Sequence, residues 1–170
     1  YTELFNQSAL HRQPEADLIP YNIAYCHFKE GDYDSAKKWF TSYLDGKSAV
    51  YRKDALERVG DCHFIAKDYR KASASYDLAV KEGPDVNDIY PYYQSAISYG
   101  LSGDNDRKIA LLSDVLEADP SSQFYPDAVF ELGRAYVVKE DDENAFACFD
   151  RLAKTARDTT FIAKAYIELG

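Results

Sequence analysis

A small residue recurs along this chain at nearly constant spacing, and that spacing constrains the possible folds more than any other feature. Alanine or glycine stands at Ala24, Gly60, Ala96, Gly133 and Gly170, with gaps of 36, 36, 37 and 37 residues. Two of these positions lie in the matching segments LERVGDCH and VFELGRAY. A period of this length is typical of a solenoid, in which each unit packs only against its neighbours. The spacing therefore predicts a repeat architecture rather than one globular core.

The residues between the small positions predict two amphipathic helices in each unit. Twelve residues after each small position comes a second anchor, followed four and seven residues later by apolar residues, such as Ala36, Phe40 and Tyr43. This spacing keeps one face of a helix apolar. Short polar turns such as GDYD and GDND separate the two helices. Lys108 stands where the other units have alanine, so close packing there requires its stem to lie along the surface with the amine in water.

These residues resemble the tetratricopeptide repeat, whose pattern of about 34 residues runs W-x2-L-G-x2-Y…A-x3-F…P. The resemblance covers a half-repeat at 1–11, repeats at 17–46, 53–86, 89–122 and 126–158, and a half-repeat at 159–170. It implies an all-α fold, a right-handed superhelix (solenoid) of antiparallel helix pairs. Pro20 replaces the apolar residue that opens the pattern, so we expect the first helix to begin near Asp17 and to hold the proline in its first turn.

A narrower resemblance concerns location. Both ends fall inside a repeat and the chain has no methionine, so we expect a piece of a longer protein. The lengthened period and the segment PSSQFYPDAVFELGRAY resemble bacterial cell-envelope members of the family, such as the outer-membrane assembly lipoprotein and the periplasmic factor coordinating envelope constriction. This implies a periplasmic or envelope-associated location. No apolar run approaches the roughly 18 residues that cross a bilayer, so we expect no direct membrane insertion.

Charge and cysteine content exclude two further classes. Twenty lysines and arginines against 29 aspartates and glutamates leave a formal charge of -9, which repels phosphate backbones and anionic lipid surfaces. We therefore expect no nucleic-acid partner. Three cysteines in 170 residues do not make a disulfide framework.

Two adjacent Cys-His pairs raise the question of a zinc site. Cys26 with His27 and Cys62 with His63 supply ligands that zinc prefers. In the repeat alignment, however, the histidines occupy a slot that later repeats fill with tyrosine, and the cysteines occupy a slot for a small residue. Adjacent residues on a helix point about 100° apart, and neighbouring helices lie roughly 8–10 Å apart. We interpret both pairs as packing residues and predict no metal and no cofactor.

The first helices carry the candidate binding surface. In repeats that resemble these, first helices line the concave surface, and the positions one residue beyond the packing stripe face the groove. The candidate groove residues are Tyr21, Tyr25, Phe28, Asp54, Glu57, Asp61, Tyr90, Tyr93, Phe130 and Arg134. Aromatic residues exposed along a groove are common anchors of partner recognition, and central carboxylates favour a partner with basic and apolar residues. Arg134 is almost the only cation on this face, so the terminal-carboxylate binding of chaperone-binding members is not expected.

We predict a non-enzymatic scaffold that binds a protein or peptide segment in an aromatic, acidic groove. The alternative is architectural, with spacer repeats that support another domain of a larger bacterial envelope protein. A third hypothesis is an acid-base enzyme that uses Asp54, Glu57 and Asp61, because clustered carboxylates raise one another's pKa. The sequence shows no recognisable nucleophile, metal partner or oxyanion donor beside them, so we predict no catalytic residues.

Overall fold

The computed structural model describes residues 16–46, 50–82, 88–118, 121, 123–155 and 159–169. Within these ranges a 3-10 turn at Ala16–Leu18 leads into nine α-helices and there is no strand. The helices are α1 (Ile19–Glu30), α2 (Tyr33–Leu44), α3 (Arg52–Ile65), α4 (Tyr69–Glu82), α5 (Tyr90–Leu101), α6 (Asn105–Ala118), α7 (Tyr125–Val138), α8 (Asp142–Thr155) and α9 (Thr159–Leu169). Pro20 lies in the first turn of α1. The predicted half-repeat at 1–11 lies outside the described residues.

The turn inside each of the four helix pairs has one construction. An aspartate precedes the second helix, and its carboxylate accepts a hydrogen bond from the backbone N–H three residues later, which caps the helix. These aspartates are Asp32, Asp68, Asp104 and Asp141. The residue before each aspartate has a positive φ; it is Gly31 or Gly103 in two turns and Lys67 or Glu140 in the others. Glycine adopts this left-handed backbone readily, so the two longer residues add some strain.

The recurring small residue lets the two helices of a pair approach closely. A Cβ atom added to Gly60 would lie 2.6 Å from the ring of Tyr76, and one added to Gly133 would lie 2.7 Å from the ring of Phe149. Each helix packs against the helices before and after it, and α5 also contacts α7, as α7 contacts α9. In this part of the stack the first helices therefore touch across repeats, which places them on its inner side. The predicted all-α solenoid of helix pairs is confirmed.

The apolar core is divided into two clusters along the stack. One cluster joins α1, α2 and α3 around Phe40, and the other joins α5 to α9 around Leu112 and Phe149. Between them, α4 and α5 bury four serines, Ser73, Ser75, Ser95 and Ser98. Of the four hydroxyls, only that of Ser95 bonds across the junction, to Asp77, while the other three donate to carbonyl oxygens of their own helix and so have their hydrogen bonds satisfied there.

Lys108 is accommodated in a way that the sequence did not indicate. Its side chain is buried against Gly100, where an added Cβ atom would lie 2.4 Å from the lysine Cδ. Gly100 occupies the repeat position of Phe28 and Phe64, so the lysine stem fills space that a ring takes in the first two pairs. The amine lies 2.6 Å from Oε2 of Glu131. The expectation that the amine lies in water is therefore wrong, because it ends in a partly buried ion pair.

Candidate functional site

One arginine and three carboxylates form a cluster on α3. Their spacing places Asp54, Glu57, Arg58 and Asp61 on one side of the helix. The Arg58 Nη1 donates to Oδ2 of Asp61, its Nη2 lies 3.3 Å from Oε2 of Glu57, and its Nε lies 3.6 Å from Oδ1 of Asp54. One cation is thus shared among three anions, and the cluster keeps a negative balance.

Aromatic rings hold Arg58 in place. The guanidinium carbon lies 5.8 Å from the centroid of Phe28 and 5.4 Å from that of Tyr90, distances at which a cation is attracted to a ring face. Burial alone would lower the pKa of Arg58, but the charges of Asp61 and its other neighbours together outweigh burial and raise the pKa. The expectation that Arg134 is almost the only cation on this face is wrong. It left out Arg58, which directly follows the predicted groove residue Glu57.

Asp61 lies beneath the surface. Its Oδ1 accepts hydrogen bonds from the hydroxyls of Tyr76 at 2.7 Å and Tyr90 at 2.5 Å, and its residue is 8% exposed. Burial raises the pKa of both tyrosines, and the hydrogen bonds to Asp61 raise it further. The prediction that Asp61 lies on the exposed groove face is wrong, because α4 and α5 cover that side of α3.

Glu57 is also buried, with 7% of its surface exposed. Burial, together with the nearby charge of Asp88, raises the pKa of Glu57 to about 7, although Arg58 lowers it. Lys53 lowers this pKa as well, and its Nζ lies 2.6 Å from Oδ2 of Asp88. The prediction of an exposed Glu57 is likewise wrong, because the folded chain buries this residue almost completely.

Asp54 is the one predicted acidic residue whose side chain reaches solvent, with 35% of it exposed. Its Oδ2 accepts hydrogen bonds from the hydroxyls of Tyr21 at 2.8 Å and Tyr25 at 2.6 Å. Burial and the hydrogen bond to Asp54 raise the pKa of Tyr25 to about 12, so the hydroxyl stays a donor at neutral pH. The Asp54 end of the cluster is therefore accessible to solvent, and the rings of Tyr21 and Tyr25 are held there by their hydrogen bonds.

The predicted residues of the third and fourth pairs lie further along the inner side. The ring of Tyr93 stacks on Phe124 with centroids 5.3 Å apart. The amine of Lys164 lies 5.5 Å from the centroid of Phe130. Arg134 is exposed. These contacts leave each predicted aromatic ring half-buried, with one part against its neighbours and one part in solvent.

A row of exposed apolar side chains was missed by the sequence reasoning. Ile65, Leu101 and Val138 occupy the same position in successive first helices, at spacings of 36 and 37 residues, and are 47%, 52% and 65% exposed. Ile65 also borders a hollow of about 340 Å³, lined by Phe28, Arg58, Asp61, Phe64, Ile65, Tyr76, Tyr90 and Gln94. The sequence did contain a signal for this row, because an apolar residue recurs at the same repeat position in three units. That position lies one residue beyond the predicted groove positions.

The cysteine and histidine residues lie in dissimilar surroundings. Cys62 is buried, and burial raises the pKa of its thiol to about 11, whereas Cys26 is exposed. Packing therefore accounts for Cys62, and the packing interpretation of Cys26 is wrong, because its side chain lies on the exposed face of α1. His27 lies 3.6 Å from Asp32, and burial lowers the pKa of His63.

Across the part of the chain that the structure describes, no three or more histidine, cysteine, aspartate or glutamate side chains are arranged to hold a metal ion. Among the described helices, none combines the length and the apolar character that a membrane span requires.

Comparison with known sequences agrees with the repeat pattern. A family model of the tetratricopeptide repeat matches residues 21–45. TPR repeat-containing protein YpiA from Bacillus subtilis (strain 168) is 26% identical over 152 residues, which are 89% of this chain and 32% of YpiA. The chain therefore spans about a third of the length of this relative.

Solved structures share the fold. The crystal structure of YrrB, a TPR protein with an unusual peptide-binding site, superimposes with a TM-score of 0.76 at 22% identity over 96% of this chain and 80% of YrrB. The first TPR of Spaghetti (RPAP3), bound to an HSP90 peptide, superimposes with a TM-score of 0.63 at 19% identity over 76% of this chain and 98% of that domain. At these identities the likeness concerns the fold alone.

Proposed function

We propose that this chain, a member of the tetratricopeptide-repeat family, is a non-enzymatic scaffold that binds a protein or peptide segment along the inner face of its first helices. Proteins built from this repeat are generally interaction modules without catalytic activity. Two structural neighbours support a peptide ligand, since YrrB has a peptide-binding site and the Spaghetti domain holds an HSP90 peptide. The acid-base hypothesis loses support from the burial of Glu57 and Asp61.

The observation that carries the proposal is the exposed apolar row of Ile65, Leu101 and Val138 beside half-buried rings. Three exposed apolar residues in register form a surface that no described part of the chain covers, and such surfaces commonly bind partners. Tyr21 and Tyr25 border the same face, and their hydroxyls are already fixed by hydrogen bonds. Rings held in this way lose little conformational entropy when a partner binds.

Charge indicates which partner suits this face. Asp54 presents an accessible carboxylate, while Glu57 and Asp61 add negative potential from beneath and Arg58 offsets part of it. A partner segment with a lysine or arginine beside apolar residues complements this pattern. The proposed contact residues are Tyr21, Tyr25, Phe28, Asp54, Ile65, Tyr90, Tyr93, Leu101, Phe130, Arg134 and Val138.

A displayed library of random peptides, selected on the immobilised chain, tests the proposal. We expect selected peptides to be enriched in basic and apolar residues. Replacing Ile65→Ser together with Leu101→Ser should then weaken a selected peptide by about tenfold, because two apolar contacts are lost at the interface. Isothermal titration calorimetry measures the change.

The matched control replaces two equally exposed apolar residues on second helices, Leu78→Ser with Phe146→Ser, which are 50% and 59% exposed. This pair should leave the affinity unchanged. Failure to select any peptide, or equal weakening by both pairs, would rule out the groove as the binding surface. The architectural alternative, spacer repeats that support another domain, would then take its place.

A further inference from the structure

A second and larger cleft lies between the second helices α4 and α6. It has a volume of about 860 Å³, and its walls include Arg70, Asp77, Leu78, Lys81, Tyr99 and Arg107. A hollow of about 470 Å³ shares four of these residues and extends the cleft along α6 to Ala110 and Leu111. The cleft is therefore elongated, and it lies on the second helices α4 and α6 and on the C-terminal end of α5.

The floor of the cleft is a fixed hydrogen-bond network. The Tyr99 hydroxyl donates to Oδ2 of Asp77 at 2.6 Å and accepts from Nη1 of Arg107 at 2.9 Å, while the guanidinium lies 4.9 Å from the ring centroid. Ser95 donates to Oδ1 of Asp77 at 2.6 Å. Both carboxylate oxygens of Asp77 are thus occupied by internal donors, and Arg107 is held in place above Tyr99.

The remaining charges give the cleft a cationic surplus. Lys139 is paired with Asp106 at 2.8 Å, and Asp104 caps α6 and lies 3.5 Å from Nε of Arg107, so each of these two carboxylates has a cation beside it. Arg70 and Lys81 line the cleft with exposed side chains, and no carboxylate of the described residues lies within ion-pair distance of either. Two cations without a carboxylate partner among the described residues stand out on one wall in a chain whose formal charge is -9.

The spacing of these cations indicates the length of the ligand. Arg70 and Lys81 are 11 residues apart on α4, which corresponds to roughly 16 Å along a helix. An extended chain of about five residues covers that distance. Leu78, half-exposed, lies on the same wall between them.

We propose that this cleft binds an extended acidic peptide segment of a partner. Carboxylate side chains about five residues apart contact Arg70 and Lys81, and an apolar side chain between them packs on Leu78. Arg107, held by Tyr99, faces the segment from the opposite wall. The site is independent of the inner groove, which favours the opposite charge.

The probe is the acetylated and amidated peptide Ser-Glu-Glu-Ser-Leu-Ser-Glu-Glu-Ser, titrated at low ionic strength by calorimetry. A peptide with glutamine at every glutamate is its neutral counterpart and should bind at least tenfold more weakly, because it lacks the charged contacts. Replacing Arg70→Gln with Lys81→Gln should weaken the acidic peptide by about tenfold. Leu78→Ser should weaken it by about threefold.

Lys29→Gln with Lys38→Gln is the matched control, because it makes the same charge change at two exposed residues outside the cleft. It should leave the affinity unchanged, as should the groove variant Ile65→Ser with Leu101→Ser. Equal binding of both peptides, an unaffected Arg70 and Lys81 variant, or equal loss in the lysine control would overturn the proposal. So would sedimentation showing that the cleft is filled by a second copy of this chain. Circular dichroism confirms that each variant is folded.

Discussion

Two aspartates on α3, seven residues apart, make nearly the same contacts in opposite surroundings. Asp54 and Asp61 each accept hydrogen bonds from two tyrosine hydroxyls. The donors to Asp54 come from α1, and a third of its side chain stays in solvent. The donors to Asp61 come from α4 and α5, and Asp61 is also paired with Arg58 beneath the surface.

The difference shows that one residue pattern serves two purposes. Asp61 joins three helices at the junction where the apolar core is interrupted, so its hydrogen bonds contribute to the stability of the stack. Asp54 instead fixes two tyrosine rings at the edge of the groove. Buried hydrogen-bonded charges are costly to disturb, whereas exposed ones exchange partners with water.

The largest expected effect is that of Asp61→Asn. Removing the charge takes away the nearest anionic partner of the Arg58 guanidinium in a mostly buried site and leaves only the longer contacts to Glu57 and Asp54, so we expect the free energy of unfolding to fall by about 3 kcal/mol. Urea denaturation followed by circular dichroism measures the loss. A loss below about 1 kcal/mol would mean that Asp61 is no more structural than Asp54, and the comparison would fail.

Glu57, between the two aspartates, should make stability depend on pH. A glutamate whose pKa is raised by folding binds more protons in the folded state, so its contribution is present at low pH and is lost as pH rises from about 4.5 to about 7. Glu57→Gln should remove that loss and be more stable than the unmodified chain above pH 7, by on the order of 2 kcal/mol. Denaturation curves across this range measure the difference. Parallel pH profiles of the two proteins would contradict the burial of Glu57.

The tyrosines that donate to the two aspartates should show the same difference between buried and exposed sites, with smaller effects on stability. Tyr76→Phe removes a buried donor to Asp61, and we expect a loss of about 1.5 kcal/mol. Tyr25→Phe removes a donor to the accessible Asp54, where water can replace it, so the loss should stay below about 0.5 kcal/mol. Melting temperatures compare the two. The contrast breaks if Tyr25→Phe is the more destabilising change.

Asp54→Asn should have the smallest effect on stability, below about 1 kcal/mol, because its interactions are partly exposed. Its effect should instead appear in binding, as a loss of about fivefold in affinity for a basic peptide selected on the groove. Calorimetry at low and high salt measures both. If the affinity of the variant is unchanged at low salt, Asp54 is not part of the binding surface. Its hydrogen bonds to the two tyrosines would not be contradicted.

The helix pairs could be predicted from the sequence because their determinants are local and repeat. Gly60 and Gly133 stand where the facing ring leaves no room for a Cβ atom, and the apolar spacing after them is helical. Asp32 and its equivalents recur with the same period as the small residues and cap each second helix. These features depend on residues that are close in the chain, or on a residue type that recurs at the same position in four helix pairs.

The exposure of the α3 carboxylates could not be predicted in the same way. The helical periodicity placed Glu57 and Asp61 one residue beyond the apolar face of α3. On an isolated helix this position faces solvent. Asp61 is covered by Tyr76 and Tyr90, which lie 15 and 29 residues further along the chain. Whether such a position is exposed depends on the helix that packs over it, and no local pattern records that.

By itself, therefore, the sequence determined the repeat, the helix pairs and the negative charge of the chain, because each is a sum over local residues. Only the tertiary structure decided which charges reach a partner. It placed Arg58 among three carboxylates, paired the buried Lys108 with Glu131, and left Arg70 and Lys81 facing a cleft. Desolvation and pairing act between residues that are distant in the chain, and they decide whether a charged side chain stabilises the fold or remains available for binding.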